Sequence, residues 1–311
     1  MINKKLKEIL EKQQYRIVGK HSAVKVCYWT KQSLTANRVC YKELWHPPVE
    51  SHRCMQMTPY IGCNFHCVHC WRLHSNDRPG LTWQEFPPPI KEWDDPGFII
   101  DECIEQRKIL LSGFGGHERV NRKKFEEALK PTMMTASLTG EPLFYPFMSE
   151  MVEEAKKRGM IMFIVTNGSL PKALEKMDNL PFRLYISIYG PDKETFIKVA
   201  RPMIKDAWEK VNETLELLPS LSTRKVFRIL AIKGWNMKNP KGYAKLIERS
   251  EPDFVEVKSY EWVGESQKRL PMRAMPFMED IRDFAKQIAE ETSYEIKDEF
   301  EPSGVVLLSK T

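Results

Sequence analysis

Gly62-Cys63-Asn64-Phe65-His66-Cys67-Val68-His69-Cys70-Trp71-Arg72 sets three cysteines in a C-x3-C-x2-C spacing, just behind a strand-like run, Arg53–Pro59. Strand-like runs recur at Met133–Leu138, Met160–Thr166, Phe182–Tyr189, Val226–Ile232 and Phe254–Tyr260. Helical patterns alternate with them, at about Phe147–Arg158, Pro171–Met177, Gly242–Arg249 and Phe277–Glu291. Asp192 caps a further helical region holding Phe196, Ala200, Ile204 and Trp208, which Pro202 should break. Cys103–Leu111 with Lys123–Leu129 supplies the first crossover, and Val305–Leu308 a final strand.

Such alternation predicts parallel strands joined by right-handed crossovers. Six strands are too few to close an eight-stranded barrel. The expected fold is α/β, a partial (β/α)6 TIM-type barrel with amino- and carboxyl-terminal extensions and its site at the carboxyl ends of the strands. A doubly wound sheet is the competing arrangement. The division expected is a basic segment over 1–50, the partial barrel over 51–264 and a closing helix and strand over 265–311. Residues 79–97, proline-rich with Trp83 and Trp93, predict a long ordered loop.

The 311 residues are 42% hydrophobic and 29% charged, ordinary for a globular chain. No apolar run reaches the roughly 18 residues of a membrane span, and the amino terminus lacks the core of a secretory signal. A cytosolic protein, without a membrane partner and monomeric, is expected. Residues 1–54 hold eleven Lys/Arg against four Asp/Glu, whereas the rest hold 37 against 38. That basic front fits a polyanion contact or a solvated helix face.

Six of the seven cysteines lie between Cys27 and Cys70, and Cys103 reads as a core thiol. Disulfides are improbable in a reducing compartment, so metal ligation is indicated. Cys63, Cys67 and Cys70 on one short loop can bind three irons of a 4Fe–4S cube and leave the fourth iron open. Zinc, completed by His66 or His69, is the alternative. Cys27, Cys40 and Cys54 are too widely spaced for a loop motif, and suggest a second 4Fe–4S site assembled by the fold.

Further features succeed the cysteine loop in order. Thr139-Gly140-Glu141-Pro142 ends the second strand, Thr166-Asn167-Gly168 the third, Ser187 lies in the fourth, and Ile232-Lys233-Gly234-Trp235-Asn236 ends the fifth. From about Cys54 to Gly264 the chain thereby resembles the radical S-adenosylmethionine (radical-SAM) superfamily. The resemblance implies a barrel of that kind, with S-adenosylmethionine on the open iron, cleaved to a 5′-deoxyadenosyl radical. It implies that Gly140 and Glu141 bind the methionine amino group, and that Thr166, Asn167 and Ser187 face carboxylate or ribose. Ile232 and the backbone of His69 would meet adenine. Thr139 replaces the usual glycine, and His69 the usual aromatic residue.

The upstream triad, in Lys25-Val26-Cys27-Tyr28-Trp29, Val39-Cys40-Tyr41-Lys42 and Ser51-His52-Arg53-Cys54-Met55-Gln56-Met57-Thr58-Pro59, together with Ala136–Pro142, is similar to one family within it. That is the tRNA 4-demethylwyosine synthases of wybutosine biosynthesis, in a compact form without a flavodoxin-like domain. The resemblance implies that N1-methylguanosine beside the anticodon of tRNA is condensed with two carbons of pyruvate, with electrons from an external donor such as flavodoxin or ferredoxin. Pyruvate would be held by the second cluster or as a Schiff base on Lys42. Lys4, Lys5, Lys7, Lys12, Arg16, Lys20, Arg119, Arg122, Lys123 and Lys124 are candidate phosphate contacts, and Trp83, Phe86 and Trp93 candidate stacking residues. The rival functions are another radical-SAM enzyme (an RNA methyltransferase or activase) and a zinc-stabilised RNA-binding protein.

Overall fold

A computed structural model describes residues 2–310 and resolves into two compact units. The first runs through Cys63 and adds Arg78–Val165 and Met177–Phe182. The second comprises Asn64–Asp77, Thr166–Lys176 and the chain from Arg183 onward.

In the first unit, helix α1 (Lys4–Lys12) is capped by Asn3, whose side-chain oxygen accepts the Leu6 N–H at 2.8 Å, and buries Leu6 and Leu10. Strands β1 (Arg16–Val18) and β2 (Ser22–Lys25) form an antiparallel pair. Two short helices follow, α2 (Tyr28–Thr35) and α3 (Tyr41–Trp45), and each begins directly after a cysteine. Strand β3 (Cys54–Thr58) pairs antiparallel with β2 and parallel with a later strand. Helices α4 (Pro96–Leu111) and α5 (Arg122–Ala128) cross over to that strand, β4 (Met133–Ala136). Helix α6 (Met148–Lys157) crosses to β5 (Ile161–Thr166), parallel to β4.

The expected strands fall where the apolar runs place them. The first crossover helix begins at Pro96, seven residues before the expected Cys103, because Asp95 accepts the Phe98 N–H at 3.0 Å and Pro96 already has a helical φ. Cys103 is a core thiol on α4, and burial pushes its pKa up.

In the second unit, α7 (Pro171–Glu175) precedes β6 (Arg183–Ile188), α8 (Lys193–Ala200) and α9 (Ala207–Leu217). Then come β7 (Arg224–Ala231), α10 (Pro240–Ser250), β8 (Phe254–Ser259) and α11 (Met278–Ala289). β6, β7 and β8 are parallel in register, and their inner residues Leu184, Ile186, Phe227, Ile229, Val255 and Val257 are fully buried. β9 (Glu295–Phe300) and β10 (Val305–Ser309) add an antiparallel hairpin, β10 lying against β8. Asp192 caps α8 as expected, and the break comes at Arg201-Pro202, with Arg201 at φ +45°. Six parallel strands are therefore present, three in each unit. Among the described residues no helix is long and apolar enough to cross a membrane.

Candidate active site

The loop that ends β4 is shaped by a glycine. Gly140 sits at φ +74°, and a Cβ there would lie 2.1 Å from the Tyr60 carbonyl oxygen and 2.6 Å from that of Gly62. The backbone of this loop can therefore lie flat on residues 60–62, immediately before Cys63. The Glu141 N–H donates to the Gly62 carbonyl at 2.9 Å, and Thr58 Oγ1 donates to the Thr139 carbonyl at 2.6 Å. Glu141 is only 1% exposed, with one carboxylate oxygen accepting the Leu143 N–H at 3.1 Å. A buried carboxylate oriented by one backbone donor suits an ammonium ligand.

In the second unit the cysteine loop is fixed by its own neighbours. The Val68 N–H donates to Val199, the His66 N–H to Arg201 and the Cys70 N–H to Cys67, at 2.9, 3.1 and 3.1 Å. Phe65 bridges to Pro202, so the break after α8 supplies the partner of the loop. Arg269 clamps the far side. Its guanidinium donates to the carbonyls of Cys70, Arg72 and Val68 and pairs with Asp77 at 2.6 Å. Gly264, at φ +61°, packs its backbone on the Trp71 carbonyl, and the Glu265 N–H donates there at 3.0 Å.

Asn64 turns the same loop toward the third strand end. Its amide donates to Ser169 Oγ at 2.8 Å and accepts from Asn167 at 3.0 Å. Ile232 lies in one apolar cluster with Val68, Val199, Tyr260 and Leu270. Asn236 closes the turn after β7, its side chain accepting the Ile232 N–H at 2.7 Å and donating to Tyr189 and Leu230. The His69 ring lies 4.8 Å from that of Tyr189, and burial, with Arg269 and Arg72 adding to it, lowers its pKa to about 3. His69 is thus a neutral ring beside Ile232's cluster. Ser187 is buried on β6 opposite Arg228. His69, Thr166, Asn167, Ser187 and Ile232 accordingly fall in the second unit and Gly140 and Glu141 in the first.

Cys63, Cys67 and Cys70 are all buried. Three thiols within eight residues, on a loop whose carbonyls are tied back by Arg269, fit three-cornered ligation of a cube. Asp77 is paired to Arg269, and His66 stacks on His74 with ring centroids 4.6 Å apart.

The upstream triad is brought together inside the first unit. Cys27 and Cys40 are the N-cap residues of α2 and α3, and Cys54 opens β3. Cys27 Sγ accepts the Thr30 N–H at 3.3 Å, and Cys54 Sγ lies 3.7 Å from Thr135 Oγ1. Ser51 ties these pieces together. Its hydroxyl accepts the Cys40 N–H at 2.8 Å, its carbonyl accepts Thr30 Oγ1 at 2.8 Å, and its N–H donates to Glu43 at 2.6 Å. Burial pushes the Cys40 thiol up to about 12 and the Cys54 thiol to about 11, each raised further by the neighbouring thiols and eased back by Lys42. Three half-buried thiols that act on one another fit a second metal-binding triad, whose loading must expel their protons. Lys42, on the first turn of α3, holds its ammonium 4.9 Å over the Phe163 ring.

Arg107 and Arg269 were not foreseen from the sequence. Arg107 had a signal: it continues the buried stripe Ile100, Cys103 and Leu111 of α4, where an apolar residue belongs. Several nucleic-acid candidates serve the fold itself. Trp93 packs between His21, Tyr60 and Tyr145, Phe86 lies on Phe144, and Lys5 donates to Pro79 and Gly80. Lys124 bonds Asn37 and Lys20 pairs with Glu92.

A buried C-x3-C-x2-C loop following the first of the parallel strands points to the radical-SAM class of enzyme. Residues 57–247 match the Radical SAM superfamily, and residues 249–310 match the family described as wyosine base formation. The chain is 47% identical to the S-adenosyl-L-methionine-dependent tRNA 4-demethylwyosine synthase of Pyrococcus horikoshii, over 99% of this chain and 89% of that protein. Two solved structures match over 100% of this chain and 97% of theirs. One is TYW1 with a lysine-pyruvate adduct bound (33% identical, TM-score 0.88), and the other an archaeal TYW1 (31% identical, TM-score 0.78). The chain belongs to the S-adenosyl-L-methionine-dependent tRNA 4-demethylwyosine synthase family. Its fold class is the partial (β/α)6 barrel of the radical-SAM kind, and its cofactors are S-adenosylmethionine and a 4Fe–4S cluster. The methyltransferase, activase and zinc-protein alternatives fall away.

Proposed function

We propose that this chain condenses N1-methylguanosine beside the anticodon of tRNA with two carbons of pyruvate to give 4-demethylwyosine, with Lys42 as the residue that holds pyruvate. Cys63, Cys67 and Cys70 would hold a 4Fe–4S cluster whose open iron takes S-adenosylmethionine, and once reduced by one electron that pair would supply the 5′-deoxyadenosyl radical that takes a hydrogen from the N1-methyl group. Gly140 lets the strand-end backbone close on residues 60–62, and Glu141 receives the methionine ammonium. Thr166, Asn167 and Ser187 would face the carboxylate or ribose, and Ile232 with the backbone of His69 would meet the adenine. Cys27, Cys40 and Cys54 carry a second cluster.

The position of Lys42 carries the assignment. It stands two residues beyond Cys40, acts on the Cys40 and Cys54 thiols, and lies over Phe163. Its amine nitrogen bonds the keto carbon of pyruvate, and the ketone oxygen leaves as water with both amine protons. The product is a neutral imine beside the second cysteine triad. The adduct in the related TYW1 structure supports this role. An external flavodoxin or ferredoxin supplies electrons, and the reaction takes place in the cytoplasm.

Borohydride reduction of the iron-loaded chain with pyruvate tests the assignment. Peptide mass spectrometry is expected to find the reduced adduct on Lys42, and none in Lys42→Arg. A wild-type chain that converts tRNA while Lys42 stays unmodified transfers pyruvate binding to iron of the second cluster.

A further inference from the structure

Arg107 is a full charge in the wrong place for an ordinary arginine. It lies on the core face of α4 between Cys103 and Leu111 and is 1% exposed. Its guanidinium donates to the carbonyls of Ala128, His52 (2.7 Å) and Cys54 (3.3 Å), while Nε finds no acceptor. Among the described residues no carboxylate pairs with it, and the groups that favour its charge are the thiols of Cys54 and Cys27. Carbonyl dipoles offset only part of the cost of burying a cation. The fold therefore keeps a positive charge beside groups that are neutral as thiols and negative as metal ligands.

Iron–sulfur chemistry supplies the missing sign. Three thiolates on a cubane core of formal charge about +2 leave a net negative unit, and reduction adds another. Lys42 is the second cation near this triad, but it becomes neutral on forming an imine, whereas an arginine stays charged. We propose that Arg107 is the permanent counter-charge of the second iron–sulfur site, a positioning residue that retains the cluster and raises its reduction potential while holding the Cys54 backbone. This rests on Cys27, Cys40 and Cys54 binding a cluster.

The test uses the full-length chain carrying Cys63→Ala, Cys67→Ala and Cys70→Ala, reconstituted anaerobically so that only the second site can load. Arg107, Arg107→Lys and Arg107→Gln are compared by circular dichroism before loading, then by iron and sulfide content, iron loss to a chelator, and EPR-monitored redox titration. Arg107→Gln is expected to lose iron roughly ten- to a hundredfold faster and to show a more negative midpoint. Arg107→Lys, which keeps the charge, is expected to recover most of both. A loaded Arg107→Gln chain with an unchanged midpoint and unchanged iron retention overturns the counter-charge and leaves the second site standing. So does an Arg107→Lys chain shifted as far as Arg107→Gln, and if Arg107→Gln does not fold, an Arg107→Lys midpoint displaced from that of the Arg107 chain has the same meaning. Failure of the chain with Arg107 intact to take up iron overturns both readings.

Discussion

Gly140 shows how one missing Cβ lets two stretches of backbone close on each other. At φ +74°, with the Tyr60 carbonyl 2.1 Å from where a Cβ would stand, alanine is excluded by strain and by contact. Gly140→Ala is expected to cost about 1–3 kcal/mol in a denaturant titration and to depress 5′-deoxyadenosine formation far more than iron content. His69 sets a pH dependence. Its folded pKa of about 3 lies below the ordinary 6.5, so below pH 6.5 the unfolded chain binds the extra proton. The stability tied to the neutral ring is present above 6.5 and is lost as the pH falls toward 3. Urea midpoints of the metal-free protein at pH 7 and pH 4.5 are expected to show His69→Phe losing roughly 1–3 kcal/mol less than wild type over that interval.

The elements explain why part of the site was legible in the sequence and part was not. The C-x3-C-x2-C loop, the glycine–glutamate turn and the Thr166–Gly168 turn stand out because each follows a buried strand. Cys27 and Cys40 are less visible, since N-caps are normally Ser, Thr, Asp or Asn and a thiol accepts weakly. Their helices are eight and five residues long, too short for a periodicity to declare itself. What unites them is Ser51, whose hydroxyl serves Cys40 and whose carbonyl serves Thr30. Ser51→Ala leaves the Cys40 N–H without its acceptor, a loss of about 1–3 kcal/mol. Iron in the reconstituted protein is expected to fall from about eight toward four per chain, with S-adenosylmethionine cleavage retained. Equal iron in mutant and wild type would show that Ser51 does not organise the triad.

At the scale of the molecule, the parallel strands were readable because buried strands are continuous apolar runs: Ile161–Thr166 and Phe254–Ser259 fall within a residue or so of the expected bounds. β9 was missed for the opposite reason. Glu295–Phe300 is exposed along nearly its whole length, and it is a strand only because β10 offers it an edge. Arg107 was missed because its role depends on which backbone α4 covers, His52 and Cys54, more than fifty residues earlier. The chemistry those parts serve is tested most directly by anaerobic turnover. Iron-loaded protein is mixed with S-adenosylmethionine, reductant, carbon-13-labelled pyruvate and tRNA bearing N1-methylguanosine, and the digested nucleosides are weighed. The expected result is a tricyclic nucleoside carrying two labelled pyruvate carbons, with 5′-deoxyadenosine formed alongside; N1-methylguanosine recovered unchanged from protein that still cleaves S-adenosylmethionine would contradict it.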